Sequence, residues 1–341
     1  MRLLVLGGTR FLGRAVVDVA LAQGLEVTTF TRGVSGEPPS GVRALHGDRE
    51  NPGDLAVLRN GEWDLAVDTS GYVPRVVGES ARVLADRVGH MVFVSTINAH
   101  PGWGDEPVRP DTPVHDCPAD AGPDDGDYGF LKVGCERAVE RYFAGRCTQA
   151  RAGLIVGPHD NSGRLPWWVG RVARGGQVLA PGDPAQRLSV VDARDLAAWF
   201  LHCGRSGITG SYAATAPSGQ TSFGELLDLC RQVTGSSARF TWVPDEVLVA
   251  NQVDTWVELP LWIPVSEHPH VWDVDASAAQ RAGLVCRPVR DSLAAVWEWL
   301  RSAPSTPVRT DRPVPGMSPE RERAILAAWQ VWQVWQATQR P

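Results

Sequence analysis

The residues best suited to chemistry lie in Asp127-Tyr128-Gly129-Phe130-Leu131-Lys132. Val133, Ala138, Val139 and Phe143 continue an apolar pattern of helical period, so this segment opens a helix. Tyr128 and Lys132 are four residues apart and share one helix face. A lysine ammonium beside a phenol favours the phenolate, bringing its pKa down from about 10 toward working pH. A tyrosine so placed can give a proton to a substrate oxygen or take one from it. The same spacing also arises by chance as a surface helical pair, so its setting decides its meaning. Upstream, His90 to Ser95 reads as a strand running into Ser95-Thr96, and a hydroxyl there would orient the same oxygen.

The elements that must position this pair start at the first residues. Residues 2–6 read as a short buried strand. Gly7-Gly8-Thr9-Arg10-Phe11-Leu12-Gly13 follows, then the helical pattern Leu12, Val16, Val17, Val19, Ala20, stopped by Gly24. Glu26 to Phe30 reads as the next strand. Strand, glycine turn, helix, strand is the opening unit of a dinucleotide-binding fold. Gly7 permits the tight turn, the N–H groups at the helix start face a pyrophosphate, and Gly13 lets the helix pack on the sheet. Gly7, Thr9, Arg10, Phe11, Leu12 and Gly13 are therefore candidate cofactor contacts. Further strands are expected at Val42 to His46, ending in Gly47-Asp48-Arg49, and at Asp64 to Asp68, ending in Thr69-Ser70-Gly71, with a helix over 75–87. Repeated strand–helix units imply an α/β fold, a doubly wound parallel (Rossmann) sheet with helices on both faces. Ligands in such sheets bind at the carboxyl ends of the strands, where all these polar clusters fall.

Composition bounds the reading. The chain has 341 residues, 43% hydrophobic and 21% charged, with net charge −6, an ordinary globular balance. The acidic balance argues against nucleic acid or membrane surfaces as partners. No apolar run approaches the ~20 residues that span a bilayer. The six cysteines (Cys117, Cys135, Cys147, Cys203, Cys230, Cys286) are scattered without a CxxC pair, which suits a reduced cytoplasmic protein. His268 and His270 lack further ligands at a useful spacing, so no metal is expected.

With these pieces in order, the chain resembles the extended or atypical branch of the short-chain dehydrogenase/reductase superfamily, the NAD-dependent epimerase/dehydratase type. The resemblance rests on Gly7–Gly13, Val94-Ser95-Thr96, Tyr128-Gly129-Phe130-Leu131-Lys132, Gly153-Leu154-Ile155-Val156-Gly157-Pro158 and Val191-Asp192-Ala193-Arg194-Asp195-Leu196-Ala197. It implies Tyr128 as acid/base, Lys132 on the nicotinamide ribose, and Thr96 as the catalytic hydroxyl with Ser95 as second candidate. It also implies Leu154 to Pro158, including Val156, beside the nicotinamide, and Asp48 near the adenine. Three positions depart from the pattern. Arg10 replaces the middle glycine, a form similar to an atypical group that includes the chloroplast stem-loop-binding proteins. Ile97 and Asn98 stand where sugar-nucleotide dehydratases carry an Asp-Glu pair, so that elimination lacks its acid and base. His100 replaces the usual tyrosine.

An acid after the second strand normally accepts the adenosine ribose hydroxyls and selects NAD. Here Phe30-Thr31-Arg32 offers none. Arg32 with Arg10 could pair with a 2′-phosphate, so NADP is expected ahead of NAD. Candidate cofactor contacts further along are Asp48, Arg49, Thr69, Ser70, Gly71, Lys132, Leu154 and Val156.

Residues 1–158 and 186–210 are expected to form the dinucleotide-binding domain, and 159–185 with 215–303 a smaller, discontinuous substrate lobe. Its tryptophans could stack on a flat substrate or fill a small core. Residues 105–127 hold eight acids against one arginine, broken by proline and glycine into a loop. As an acidic rim the loop would repel an anionic sugar nucleotide; as a solvated loop it would do nothing. Residues 304–341 read as a proline-rich linker and a helix starting near Ser318-Pro319-Glu320. Ile325, Trp329, Trp332 and Trp335 on that helix suit docking on this subunit or in a homodimer. The expected function is an NAD(P)-dependent oxidoreductase acting on a small carbonyl, imine or alcohol. The alternatives are an epimerase with tightly held NAD(P), or a non-catalytic nucleotide- or RNA-binding protein of the same fold.

Overall fold

The computed structural model describes residues 1–34, 36, 38–302 and 313–339. Its strands are β1 (Arg2–Leu6), β2 (Glu26–Thr31), β3 (Arg43–His46), β4 (Trp63–Asp68), β5 (Val88–Thr96), β6 (Cys147–Ala152), β7 (Leu154–Val156), β8 (Gln177–Pro181), β9 (Arg187–Leu188), β10 (Val190–Asp192), β11 (Gly210–Ala214), β12 (Thr221–Ser222) and β13 (Arg239–Val243). The helices are α1 (Phe11–Ala22), α2 (Pro74–Leu84), α3 (Tyr128–Phe143), α4 (Arg164–Ala173), α5 (Ala193–Ser206), α6 (Phe223–Thr234), α7 (Asp245–Ala250), α8 (Ser277–Arg281), α9 (Val289–Ser302) and α10 (Pro319–Gln339).

Two compact units emerge. The first comprises Met1–Val156, Ser189–Ser218 and Asp273–Arg287. Its core is a seven-stranded sheet in the order β11-β6-β5-β4-β1-β2-β3, parallel throughout. Leu3, Leu4, Val5 and Leu6 are all buried, because a parallel strand covered on both faces has no solvent side to make polar. Alternation splits the sheet between two cores. Val67, Val92 and Val94 face the core that includes residues of α1 and α5. Ala66, Met91 and Phe93 face that of α2 and α3. The chain leaves β1 toward β2 on one side and returns through β4 on the other. That reversal opens a crevice between the carboxyl ends of β1 and β4, where such sheets bind ligands.

Asp273–Arg287 belongs to this unit through specific contacts. Val108 N donates to Asp273 O at 2.9 Å and Asp275 N to Val108 O at 2.9 Å. Arg109 pairs with Asp273 at 3.0 Å, and Arg287 pairs with Asp195 at 2.7 Å.

The second unit comprises Gly157–Leu188, Gly219–Trp272 and Pro288–Pro341. β8 pairs in parallel with β13 and β9 antiparallel with β12. Trp168 and Trp262 are fully buried in it. Their indole N–H groups donate to Pro260 O and, at 2.9 Å, to Asp245 Oδ1, so these two rings serve the core. α6 starts with a full capping box between Ser222 and Glu225, satisfying N–H groups that the first turn leaves open. α10 docks within this unit: Ile325, Leu326 and Trp329 are buried, and Glu322 Oε2 accepts from Arg171 Nε at 2.7 Å. Trp329 stacks on Trp332 at 4.8 Å. Of the expected linker, Pro304 to Pro315, residues 304–312 lie outside the described residues, as does the side chain of Trp335.

Candidate active site

The glycine turn comes first in the chain. Gly7 and Gly8 have φ of 108° and 111°, conformations that only glycine takes without strain. A Cβ on Gly7 would lie 2.5 Å from Thr69 Oγ1, and one on Gly13 2.6 Å from Gly8 N. These absent side chains leave a backbone cradle. Arg10 precedes α1 and gives no side-chain cap to the N–H groups of the first turn. Open N–H groups behind a side-chain-free surface fit a pyrophosphate, and a nicotinamide dinucleotide suits this chain on that observation. Across the crevice, Thr69 Oγ1 and Ser70 Oγ each donate to Leu6 O at 3.1 Å, tying the end of β4 to that of β1.

The other cofactor candidates divide. Arg10 and Arg32 are exposed, Thr9 and Phe11 half-buried. Gly7 N donates to Phe30 O at 3.0 Å, which sets the turn beside the end of β2. Leu12 is in the core. Asp48 Oδ1 accepts from Glu50 N at 3.0 Å. Arg49 turns inward, giving two hydrogen bonds of 2.9 and 2.8 Å to Asp68. In β7, which pairs with β10, Leu154 is half-buried and Val156 buried.

Tyr128 is the first residue of α3, whose start is capped by Asp127 Oδ1 accepting from Phe130 N at 2.9 Å. Gly129 explains how close this helix comes to the end of β5. A Cβ there would sit 2.1 Å from Asn98 O, so only glycine lets α3 lie against the turn that follows Thr96. Thr96 Oγ1 caps that turn, accepting from Asn98 N at 3.2 Å and donating to Asn98 Oδ1 at 3.3 Å. The Ser95 hydroxyl is buried without a hydrogen-bond partner among the described residues, and alternation puts it on the Phe93 face. Tyr128 is 43% exposed, and its ring is 6.4 Å from that of Tyr72.

Lys132 is buried. Its Nζ donates to Gly71 O and Val94 O, both at 2.6 Å. It also lies 4.1 Å from the Phe93 ring centre and 5.5 Å from that of Tyr72. Burial brings its pKa down from 10.5 to about 8 against the pull of nearby acidic groups. Lys132 is also the only lysine in the sequence; apart from the histidines, every other basic side chain is arginine. The one lysine of the chain thus lies between two carbonyls and two rings. Three more residues join the centre that spacing did not single out: Tyr72, Asn98 and Asp68. His100 is buried and its Nδ1–H donates to Pro113 O at 3.0 Å; burial lowers its pKa.

The acidic loop is partly committed to structure. Asp127 caps α3, Asp116 pairs with Arg137 at 2.6 Å, and Asp125 Oδ2 accepts from Gly122 N at 2.7 Å. Among the described residues no three His, Cys, Asp or Glu side chains gather to hold a metal ion. No helix among them is long and apolar enough to cross a membrane.

Strand order and glycine cradle define a Rossmann-type dinucleotide-binding fold. The chain belongs to the NAD dependent epimerase/dehydratase family, whose model matches residues 3–211. Among solved structures it is similar to the Bordetella bronchiseptica enzyme WbmH in complex with NAD+, at 16% identity and TM-score 0.65, over 89% of this chain and 99% of that one. It is also similar to Thermus thermophilus UDP-glucose 4-epimerase in complex with NAD, at 18% identity and TM-score 0.60, over 89% and 100%. A third is the Thermotoga maritima UDP-glucose 4-epimerase with UDP-glucose, at 17% identity and TM-score 0.61, over 88% and 99%. At these identities the likeness is one of fold. No curated protein matches the chain.

Proposed function

We propose that this chain is a nicotinamide-dependent oxidoreductase that interconverts a carbinol or amine carbon with the matching carbonyl or imine of a small molecule. The observation that carries the reading is the close approach of α3 to the end of β5 at Gly129. That approach sets the start of α3, with Tyr128, against the turn that follows Ser95-Thr96, and so supports a site at the carboxyl ends of the strands, where the glycine turn also lies. The cradle residues Gly7, Thr9 and Gly13, with Thr69 to Gly71 opposite, would hold the pyrophosphate. Leu154 and Val156 would border the nicotinamide, and Asp48 the adenine end. Bound there, the cofactor would supply hydride exchange at the substrate carbon.

The chain's own residues do the rest. Tyr128 moves the proton at the substrate oxygen or nitrogen, and the residue is exposed at the start of α3. Lys132, on the same helix face, stabilises the phenolate and offers an N–H to the ribose. Thr96 orients the substrate heteroatom once its hydroxyl turns from Asn98; Ser95 is the second candidate for that role.

For the cofactor we propose NADP ahead of NAD. β2 ends at Thr31-Arg32 with no carboxylate, and Arg32 and Arg10 are exposed at the ends of adjacent elements. The solved structures in complex with NAD support the NAD reading. Titration of nicotinamide fluorescence decides between them: Arg32→Ala should weaken NADPH about tenfold or more and leave NADH nearly unchanged. Equal loss for both would remove the 2′-phosphate assignment.

A second reading, epimerisation, is favoured by the UDP-glucose 4-epimerases among the similar structures. An epimerase shows no net oxidation of free cofactor, whereas a reductase does. Tyr128→Phe should lower turnover by about 100-fold or more in either case. Unchanged turnover in that variant would end both readings.

A further inference from the structure

We infer that the buried Arg49–Asp68 pair is a positioning device for Lys132, holding its side chain as an ammonium with one N–H left for the active site. The consequence for catalysis rests on the proposed function; the electrostatic arrangement does not.

A neutral lysine amine has two N–H bonds and an ammonium three. Gly71 O and Val94 O take two of them. Only the ammonium therefore has a donor remaining for a ribose hydroxyl or a phenolate. Burial works against that form, because a desolvated charge is costly. A counter-charge must offset the cost, and the groups around Nζ identify it.

On α3, Glu136 is engaged by Arg151 at 2.7 Å, and the Cys135 thiol is held protonated by burial. From β5 and the end of β4 come the rings of Phe93 and Tyr72, which attract a cation weakly. Asp68, the last residue of β4, brings a buried carboxylate to the same place. The Cβ position of Gly71 lies 3.1 Å from Asp68 Oδ2, and the carbonyl of that same glycine accepts from Lys132. Arg49 grips both Asp68 oxygens. Arg49 also contacts Ser70 Oγ at 3.4 Å and Ser80 Oγ at 3.3 Å. Ser70 N donates to Asp68 Oδ1 at 3.0 Å. The grip is bidentate and fixed in direction. Asp68 thus attracts Lys132 from a set distance without swinging over to take its third N–H. The attraction of Asp68 for Lys132 outweighs the repulsion from Arg49.

Because Lys132 is the only lysine, the full chain labelled with [ε-13C]lysine shows a single side-chain resonance, and its pH titration reads this group alone. The wild-type resonance should titrate near the value of about 8. Asp68→Asn should lower the proton affinity about tenfold or more, Asp68→Glu should bring most of it back, and Arg49→Gln should raise it. A wild-type lysine already neutral at neutral pH, or a folded Asp68→Asn that titrates with wild type, overturns the inference. If Asp68→Asn does not fold, Arg49→Gln decides: an upward shift supports the device, and no shift or a downward one overturns it. Failure of the chain to bind NADH or NADPH would sink the proposed function while leaving this titration intact.

Discussion

Replacing Asp160 by asparagine should stabilise the protein at neutral pH and do less at mildly acid pH. Asp160 is completely buried in the loop after β7. Its Oδ1 accepts from Ser162 N at 2.8 Å, and its Oδ2 has no partner among the described residues. Burial pushes its pKa from 3.8 up to about 6, against the opposing help of Ser162, Arg164 and Gly163. The folded state therefore binds this proton more tightly than the unfolded state. Nothing is lost below about pH 4, where both states hold the proton; stability then falls as pH rises through about 6. At roughly 1.4 kcal/mol per tenfold in proton affinity, the loss at pH 7.5 is about 3 kcal/mol. About 2 kcal/mol of that arises between pH 4.5 and 7.5. Asparagine never ionises, but it would bury an unpaired N–H at a cost of about 1 kcal/mol or more. The net gain at pH 7.5 is then about 1–2 kcal/mol, and at pH 4.5 roughly nothing or a small loss. Urea unfolding of wild type and Asp160→Asn at both pH values measures it. A difference between the two proteins that does not change with pH would refute the reasoning.

Glu322→Ala should destabilise the chain by about 3 kcal/mol or more, since it strands the buried Arg171 guanidinium and removes the acceptor for Leu179 N at 2.9 Å; an unchanged melting temperature would show that α10 is not held this way. Gly13→Ala should weaken nicotinamide binding by about 10- to 100-fold, because its methyl meets Gly8 N and displaces charge-assisted donors of about 1.5–3 kcal/mol each. Fluorescence titration reads this loss, and wild-type affinity in the variant would remove the cradle from the binding site.

Local order was readable wherever pattern and period agreed. Residues 2–6 were expected as a strand and are β1; Leu3 to Leu6 form an apolar run too short for a helix, between an exposed start and a glycine turn. Asp127 and the period from Val133 to Phe143 mark α3, and its cap is present. The expected helix over 75–87 begins at Pro74 and ends at Leu84, because proline suits a helix's first position and fraying ends leave little trace in sequence. The candidate pair Tyr128/Lys132 was legible from its i,i+4 spacing together with its place after a strand ending in Ser95-Thr96.

Local pattern could not show what depends on residues far apart in sequence. It assigned Arg49 to the cofactor by its place at a strand end, whereas the fold turns it onto Asp68, 19 residues on. It grouped residues 215–303 together, whereas Asp273–Arg287 packs with the first unit through Val108, Arg109 and Asp195. The sequence by itself determined the strand–helix alternation, the glycine turn and the i,i+4 spacing of Tyr128 and Lys132, since each is written in neighbours within one or two helical turns. Only the tertiary structure decided that Lys132 is desolvated, that two carbonyls and Asp68 surround it, and that the acid Asp160 is buried. Burial and charge pairing arise when distant segments exclude water from one another, and no local period records that.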